Sequence, residues 1–245
     1  MLDRTSSTPL YVQVRDILLN KMDNNEYPVN EMIPSEKKLC EEFGISRETL
    51  RSVLTELVRD GRLYRVQGKG TYVAEPKLAT NTTSYFGLRE QFERQGHNVT
   101  TILLGISNLS CPVSVARHLN ISQGSPVYYI QRLRKINGEP LSIHNSYIPI
   151  DICPKIENND FCNTQLCDIL STNYGLKRSK SSQTLESVLA RENEATLLNI
   201  KTGYPLLKLS ETITNENNLI FEYSTIVLRG DKVELKFSFE FNENQ

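Results

Sequence analysis

The spacing of apolar residues predicts three helices in the N-terminal part of the chain. Apolar side chains recur at helical intervals from Leu10 to Leu18, from Leu39 to Phe43 and, most regularly, from Leu50 to Val58. Each set lies on one side of its helix, with polar residues on the other side. The three helices can therefore share one core.

Residues that start and stop helices flank these segments. We expect Thr8 to cap the first helix, with Pro9 at its first position, and Ser35 and Ser46 to cap the second and third helices. Gly44 lies where the second helix must end, because glycine adopts the left-handed conformation without a steric cost. A tight turn then joins the second helix to the third.

A β-hairpin is predicted directly after the third helix. The β-forming stretches 63–66 and 71–73 flank residues 67–70 (Gln-Gly-Lys-Gly), which form a glycine-rich turn. Three helices followed by a hairpin form a winged helix-turn-helix, which binds DNA through its third helix. Arg47 and Arg51 are four residues apart on the polar face of that helix and project side by side.

The rest of the chain predicts a second domain of mixed helices and strands. Residues 74–83 are polar and break both periodicities, so we expect domains at 1–73 and 84–245 joined by this linker. Tight turns between neighbouring strands indicate an antiparallel sheet with packed helices, and the predicted fold class is α+β. Helical patterns cover 86–95, 112–120 and 164–172, and strand patterns cover 99–108, 126–136, 140–149, 177–189, 205–214, 219–229 and 232–239.

Composition and charge restrict the classes of function. The 245 residues are 38% hydrophobic and 23% charged, which is typical of a folded protein. The formal net charge of −1 disfavours a non-specific binder of polyanions, such as a structural nucleoid protein, so any DNA contact must be local. The sequence contains neither a secretory signal nor a long apolar segment, and we expect a cytoplasmic protein without membrane contact.

Cysteine and histidine placement argues against a metal site or an enzyme. The five cysteines form an odd set without a Cys-x-x-Cys pair, so we expect buried, reduced thiols, with a Cys162–Cys167 disulfide as the alternative. The three histidines lack metal-ligand spacing, and the sequence has no nucleophile motif or phosphate-binding loop. We therefore expect no cofactor and no catalysis.

Several short motifs resemble one family of bacterial regulators. The blocks 9–11 (Pro-Leu-Tyr), 34–36 (Pro-Ser-Glu), 44–51 (Gly-Ile-Ser-Arg-Glu-Thr-Leu-Arg) and 68–71 (Gly-Lys-Gly-Thr) resemble, in order and spacing, the winged domain of GntR-type regulators. The second half resembles the ligand-sensing UTRA domain of the HutC subfamily through the blocks 132–134, 137–141, 146–149, 221–223 and 229–231. Together the two resemblances cover nearly the whole chain.

This resemblance implies a homodimeric regulator of transcription. Its sensory domain would be similar in fold to chorismate lyase and would bind a metabolite that changes the affinity for DNA. We expect a repressor that binds double-stranded operator DNA at an inverted repeat and responds to a small anionic effector such as a phosphosugar. Activation instead of repression, the operator sequence and the identity of the effector stay open.

The resemblance also indicates which residues contact DNA. In this family the positions of Lys37, Arg47, Arg51 and Gly68 typically meet DNA, although an arginine is common where Lys37 stands. A lysine can still hold a phosphate, but it lacks the planar two-point geometry of arginine. We expect contacts from the helix starts and from the hairpin tip, namely from Ser35, Lys37, Ser46, Arg47, Thr49, Arg51, Gln67, Gly68 and Lys69.

An effector site is predicted around two arginines of the second domain. Arg132 and Arg134 alternate along one strand, so they share a face and suit a phosphate or carboxylate. The alternative is an exposed strand face on which they pair with an acidic residue such as Glu139. The expected effector-binding set is Leu88, Arg89, Arg132, Arg134, His144, Thr164, Gln165, Glu222 and Leu228.

Two members of this set have a second interpretation. Glu222 either accepts a hydrogen bond from the ligand or only pairs with Arg134, and His144 is either a ligand contact or a structural histidine. Relatives that bind phosphorylated amino sugars often carry a glutamate where His144 stands, and tyrosines where Leu228 and Val233 stand. The resemblance therefore implies an effector that differs from theirs.

The competing functional class is a chorismate-lyase-like enzyme that acts on an anionic substrate. Such an enzyme would use Arg132, Arg134 and Glu222, but the sequence supplies no nucleophile, metal cluster or clear acid/base pair beside them. The attached DNA-binding domain favours a regulator over an enzyme.

Overall fold

The structure is a computed structural model that describes residues 2–81 and 88–237, and the chain divides into two compact units, Met1–Lys77 and Leu78–Gln245. The helices are α1 (Leu10–Asp23), α2 (Glu36–Phe43), α3 (Arg47–Arg59), α4 (Leu88–Arg94), α5 (Val113–Leu119), α6 (Leu166–Tyr174) and α7 (Glu192–Leu198). The strands are β1 (Leu63–Val66), β2 (Gly70–Val73), β3 (Leu78–Asn81), β4 (Val99–Ser110), β5 (Pro126–Ile136), β6 (Glu139–Pro149), β7 (Lys180–Leu189), β8 (Pro205–Thr214), β9 (Ile220–Leu228) and β10 (Val233–Lys236).

The first unit is a winged helix-turn-helix, as predicted. Helices α1, α2 and α3 surround one apolar core, and β1 and β2 form the antiparallel hairpin that follows. Residues 31–33 form an extended segment that runs along the outer side of β2. Ile33 N donates to Thr71 O at 3.0 Å, and Val73 N donates to Glu31 O at 3.0 Å. The core residues are Val14, Leu18, Met22, Ile33, Leu39, Leu50, Val53, Leu54, Leu57, Leu63 and Val73.

Two of the three predicted helix caps are confirmed. The side chain of Ser35 accepts a hydrogen bond from Lys38 N, and that of Ser46 accepts one from Thr49 N at 3.2 Å. The first cap was predicted wrongly, because α1 begins at Leu10 and Pro9 itself is the N-cap, without a side-chain cap from Thr8. The fixed φ of proline fits this extended capping position as well as the first helical position.

The second unit is built on a six-stranded antiparallel sheet in the order β4-β5-β6-β9-β8-β7, which confirms the α+β prediction. Helix α6 and the two short 3-10 helices at 150–152 and 156–158 pack on one face, which we call the arginine face. Helices α5 and α7 pack on the opposite face, α5 against β5 and β9, and α7 against β5, β6 and β9.

The structure differs from the sequence prediction at two elements of this unit. Residues 78–81, inside the predicted linker, form strand β3, which pairs in parallel with β10 and is anchored where Leu78 N donates to Lys232 O at 2.8 Å. Helix α7 was missed, although Glu194 accepts a hydrogen bond from the backbone N–H of Arg191 at 2.8 Å, as in a capping box. The start of the predicted helix 86–95 and the end of the predicted strand 232–239 lie outside the described residues.

We expect Leu54→Ala to lower the free energy of unfolding of the first unit by about 2–5 kcal/mol, because it opens a cavity in the core shared by the three helices. Urea denaturation of the full chain followed by circular dichroism measures this loss. Ser52→Ala on the exposed side of the same helix is the control, and it should change the free energy by less than about 0.5 kcal/mol. Equal effects of the two substitutions would contradict the assigned core.

Candidate functional site

Helix α3, which the sequence predicts to be the recognition helix that reads DNA, presents two arginines to solvent. Arg47 is its first residue and is exposed, and the side chain of Arg51 is 68% exposed. Arg51 Nε donates to Glu36 Oε2 of α2 at 2.9 Å, so the acidic residue holds the guanidinium at the edge of the helix. An exposed ion pair of this kind adds little to stability.

A groove separates α3 from the hairpin. Its walls are formed by Arg51 and Thr55 of α3, Glu36 of α2, and the hairpin residues 65–71. Gln67, Gly68 and Lys69, which the sequence predicted to meet DNA, lie at the exposed tip of the hairpin beside this groove. Gly68 has φ +74° with open space around it, so the backbone itself is accessible there.

The remaining predicted DNA contacts lie at the starts of α2 and α3. Ser46 Oγ and Thr49 Oγ1 are 2.9 Å apart, so both hydroxyls are involved in capping α3. Lys37 is 77% exposed and lies 4.0 Å from Glu41, one turn further along α2. These residues and Ser35 do not line the groove between α3 and the hairpin.

The sequence interpretation did not include Arg65, which lines the same groove. Arg65 Nη2 donates to Thr55 Oγ1 at 3.2 Å across the space between β1 and α3. Strand alternation could have found this residue, because Leu63 of the same strand points into the core beneath α3 and Arg65 follows it on that side.

In the second unit, the register of the sheet places the predicted polar residues on one face. Arg132 is opposite His144, and His144 is opposite Ile226, so both polar side chains share a face with the even-numbered residues of β9. Glu222 and Leu228 belong to that set. This is the arginine face, which α6 covers.

Arg132 and Glu222 are joined through a serine that the sequence interpretation did not identify. Arg132 Nη2 donates to Ser146 Oγ at 2.8 Å, and Ser146 Oγ donates to Glu222 Oε1 at 2.8 Å. Burial lowers the pKa of Arg132 and raises the pKa of Glu222, and the attraction between the two groups opposes both shifts. Ser146 alternates with His144 on β6, so the strand period could have identified it.

Arg134 is the least compensated charge on this face. Arg134 is only 7% exposed. Burial together with the nearby charge of Arg132 lowers the pKa of Arg134 to about 9. The Nε atoms of Arg132 and Arg134 are buried and, within the described part of the chain, have no hydrogen-bond partner. The alternative in which the two arginines form an exposed, paired strand face is therefore wrong.

The surroundings of His144 favour its neutral form. Burial and the positive charges of Arg134 and Arg132 lower its pKa well below the ordinary value. Its Nε2 lies 2.9 Å from Ser142 Oγ, so the ring has a structural partner on its own strand. A neutral imidazole adds no further positive charge beside the two arginines.

Arg89 of α4 reaches the loop that leads into α6. Its Nη1 donates to Cys162 O at 3.2 Å and to Asn163 O at 3.3 Å, and its Nε lies 2.7 Å from Glu93 Oε1. The positive charge of Arg89 contributes to lowering the pKa of Arg134.

The other predicted effector residues are placed less centrally. Gln165 is the N-cap residue of α6, and Thr164 before it is exposed. Leu228 is fully buried in an apolar cluster with Leu209 and Ile226. Leu88 begins α4, and its side chain lies outside the described part of the structure.

The thiols are free, and three of them depart from the expected burial. Cys111 and Cys153 are buried, whereas Cys162 is exposed and Cys40 and Cys167 are partly exposed. Within residues 2–81 and 88–237, no cluster of histidine, cysteine or acidic side chains has the geometry of a metal site. The helices in these ranges are all too short or too polar to cross a membrane.

Two known domain families account for most of the chain. Residues 10–73 match the bacterial regulatory proteins of the gntR family, and residues 94–234 match the UTRA domain. These matches coincide with the winged helix-turn-helix and with the unit that carries the arginine face. They confirm the resemblance inferred from the motifs.

Similar proteins are regulators of transcription. The chain is 29% identical over 231 residues to the HTH-type transcriptional repressor NagR of Bacillus subtilis, in a match that covers 94% of this chain and 95% of that protein. It is 30% identical over 199 residues to the histidine utilization repressor of Pseudomonas putida, with coverage of 81% and 79%. These names give no support to the enzyme alternative.

A solved structure has the same overall fold. The crystal structure of PhnF from Mycobacterium smegmatis has a TM-score of 0.67 and 24% sequence identity, and the match covers 96% of this chain and 100% of that chain. Because residues 10–73 and 94–234 match the two family models, the chain belongs to the GntR family of bacterial regulatory proteins, in the group whose DNA-binding domain is followed by a UTRA domain.

Proposed function

We propose that the protein is a homodimeric repressor that binds an inverted-repeat operator and leaves it when a small anionic metabolite binds on the arginine face. The observation that carries the proposal is the burial of Arg132 and Arg134, whose Nε atoms have no hydrogen-bond partner among residues 2–81 and 88–237. Two guanidinium groups removed from water repel each other and lose their hydration. An anion between them would offset the repulsion and replace the lost hydrogen bonds to water.

The arginine face also indicates which other chemical groups the ligand carries. Glu222, held by Ser146 beside Arg132, is a hydrogen-bond acceptor for hydroxyl or amine groups. A ligand with an anionic group at the arginines and hydroxyl or amine groups towards Glu222 would satisfy both ends of the cluster. A phosphosugar or an amino-bearing phosphate or carboxylate has this arrangement, and Arg89 at the loop before α6 would add a further cation.

The names of the relatives support repression, and the small DNA-reading surface of one winged unit favours a dimer. Proteins similar to this chain include the probable fructoselysine utilization operon transcriptional repressor of Escherichia coli and the histidine utilization repressor of Pseudomonas putida. A single winged unit offers a small surface for reading sequence, and a two-fold dimer doubles it across two half-sites. Arg47 and Arg51 of each recognition helix would then enter the major groove.

We expect Arg51→Ala to weaken binding to a preferred duplex far more than binding to a scrambled duplex. An arginine that makes two hydrogen bonds to a guanine contributes about 1–3 kcal/mol of discrimination, and Arg51 is exposed on the recognition helix. The preferred duplex is obtained by selection from a random library with the unmodified protein, and affinities are measured by fluorescence anisotropy. Equal losses on both duplexes would contradict base recognition by Arg51.

Lys69→Ala at the hairpin tip is the matched comparison. We expect it to lower affinity for both duplexes by a similar factor and to reduce the slope of log affinity against log salt by up to about one unit. A loss confined to the preferred duplex would assign Lys69 to base recognition instead of phosphate contact.

We expect Arg134→Met to leave the ligand-free protein at least as stable as the unmodified chain and to abolish its stabilisation by anions. The charge of Arg134 is buried, and its Nε has no hydrogen-bond partner within the described part of the chain, so an apolar side chain of similar size should cost no stability there. Thermal shift against inorganic phosphate, phosphosugars and carboxylates measures both effects, because a bound ligand raises the melting temperature. Arg117→Met on the exposed side of α5 is the control and should keep the response to anions. A large loss of ligand-free stability in Arg134→Met would show that Arg134 has a structural role.

We expect the anion that stabilises the protein to bind more weakly when operator DNA is present. If the ligand weakens DNA binding, DNA must weaken ligand binding by the same factor, which corresponds to about 1–3 kcal/mol in typical allosteric proteins. Calorimetric titration of the free protein and of its complex with the selected duplex measures this coupling, and sedimentation gives the number of chains per duplex. Identical ligand affinities, or one chain per duplex, would contradict the proposal.

A further inference from the structure

We propose that Arg65 binds a phosphate of the DNA backbone between the recognition helix and the hairpin. The inference rests on the proposed DNA binding and adds a residue to it. Arg65 lies on β1, outside the tip of the hairpin and outside the recognition helix, and it lines the groove between the two.

The packing of the hairpin sets the direction of Arg65. Leu63 is 2% exposed in the core beneath α3, and the side chain two residues later on a strand projects to the same side. Arg65 Nη2 accordingly meets Thr55 Oγ1 of α3 at 3.2 Å. Tyr64 projects to the opposite side of the hairpin, where its ring stacks on Tyr72 with 5.5 Å between the centroids.

The position of Thr55 relates Arg65 to the expected path of the DNA. Thr55 follows Arg51 by four residues, so both project from the same side of α3 into the groove. A recognition helix that enters the major groove and a hairpin that lies along the neighbouring part of the duplex have a sugar-phosphate strand between them. A cation on the floor of that space faces phosphates and does not face base edges.

The local charges leave Arg65 available for a phosphate. Among the described residues that line this groove, Glu36 is the only acidic one, and it is 2.9 Å from Arg51. The hydrogen bond of Arg65 to Thr55 uses one of its five N–H donors and leaves its charge uncompensated by that partner. Thr55 is therefore a positioning residue that holds the guanidinium in place.

The test compares Arg65→Ala, Arg65→Lys and Thr55→Val in the full chain, with Arg117→Ala in the second unit as a control for the loss of one positive charge. Binding is measured on the duplex selected by the unmodified protein and on a scrambled duplex, at several salt concentrations. The melting temperature of each variant is measured in the absence of DNA.

We expect Arg65→Ala to lower affinity for both duplexes by about tenfold and to reduce the salt slope by about 0.9, the value for one lost phosphate contact on duplex DNA. Arg65→Lys should retain the salt slope, because it keeps the charge, and should recover part of the affinity. Thr55→Val should lower affinity by a smaller factor without changing the slope. Arg117→Ala should change neither quantity, and none of the melting temperatures should fall appreciably.

Four results would overturn the inference. A loss on the selected duplex alone would make Arg65 a base contact. Equal falls in melting temperature for Arg65→Ala and Thr55→Val, with unchanged salt slopes, would make the contact a brace between hairpin and helix. If the unmodified protein prefers the selected duplex and Arg65→Ala binds that duplex with the same affinity, this role for Arg65 is rejected and the proposed function stays intact. If the unmodified protein binds no duplex, both the role of Arg65 and the proposed function are rejected.

Discussion

The constraint on which the second unit depends is the burial of two arginines on one sheet face. Moving a charged group out of water costs several kcal/mol, and neither guanidinium is fully compensated by the described part of the chain. Such a cost is tolerated because the apolar cluster between the sheet and α6 supplies compensating burial around it. The unit therefore keeps a buried polar cluster in place, at a cost in stability that a purely apolar face would avoid.

The two units use positive charge in opposite ways. In the first unit, the buried residues that the structure describes are all apolar, and Arg47, Arg51 and Arg65 are exposed to water, where their charge costs little free energy. In the second unit, Arg132 and Arg134 are withdrawn from water, where an electrostatic attraction to an anion is much stronger. An exposed cation suits a long polyanion that dissociates readily, whereas a buried cation suits a small ligand that is completely enclosed.

The parts of the fold that the sequence predicted are those with a strong local signal. Amphipathic stripes located α1 to α3, capping serines located the starts of α2 and α3, and the alternation of β5 by itself places Arg132 and Arg134 on one face. What escaped prediction depends on distant residues. Strand β3 is polar in part and is defined by its partner β10, and the contact of Arg65 with Thr55 needs the packing of the hairpin on α3. The link from Arg132 through Ser146 to Glu222 joins three strands whose register cannot be read from any one of them.

The pairing of β3 with β10 bears on how the protein is made. Strand β3 directly follows the first unit in the chain, yet its partner is Val233–Lys236, near the other end of the described residues. During synthesis the winged unit has all its contacting residues once Lys77 has emerged, and domains usually fold in the order in which they leave the ribosome. Strand β3 stays unpaired until residues 233–236 have been translated. A nascent chain thus completes its winged unit well before it completes the unit that carries the arginine face.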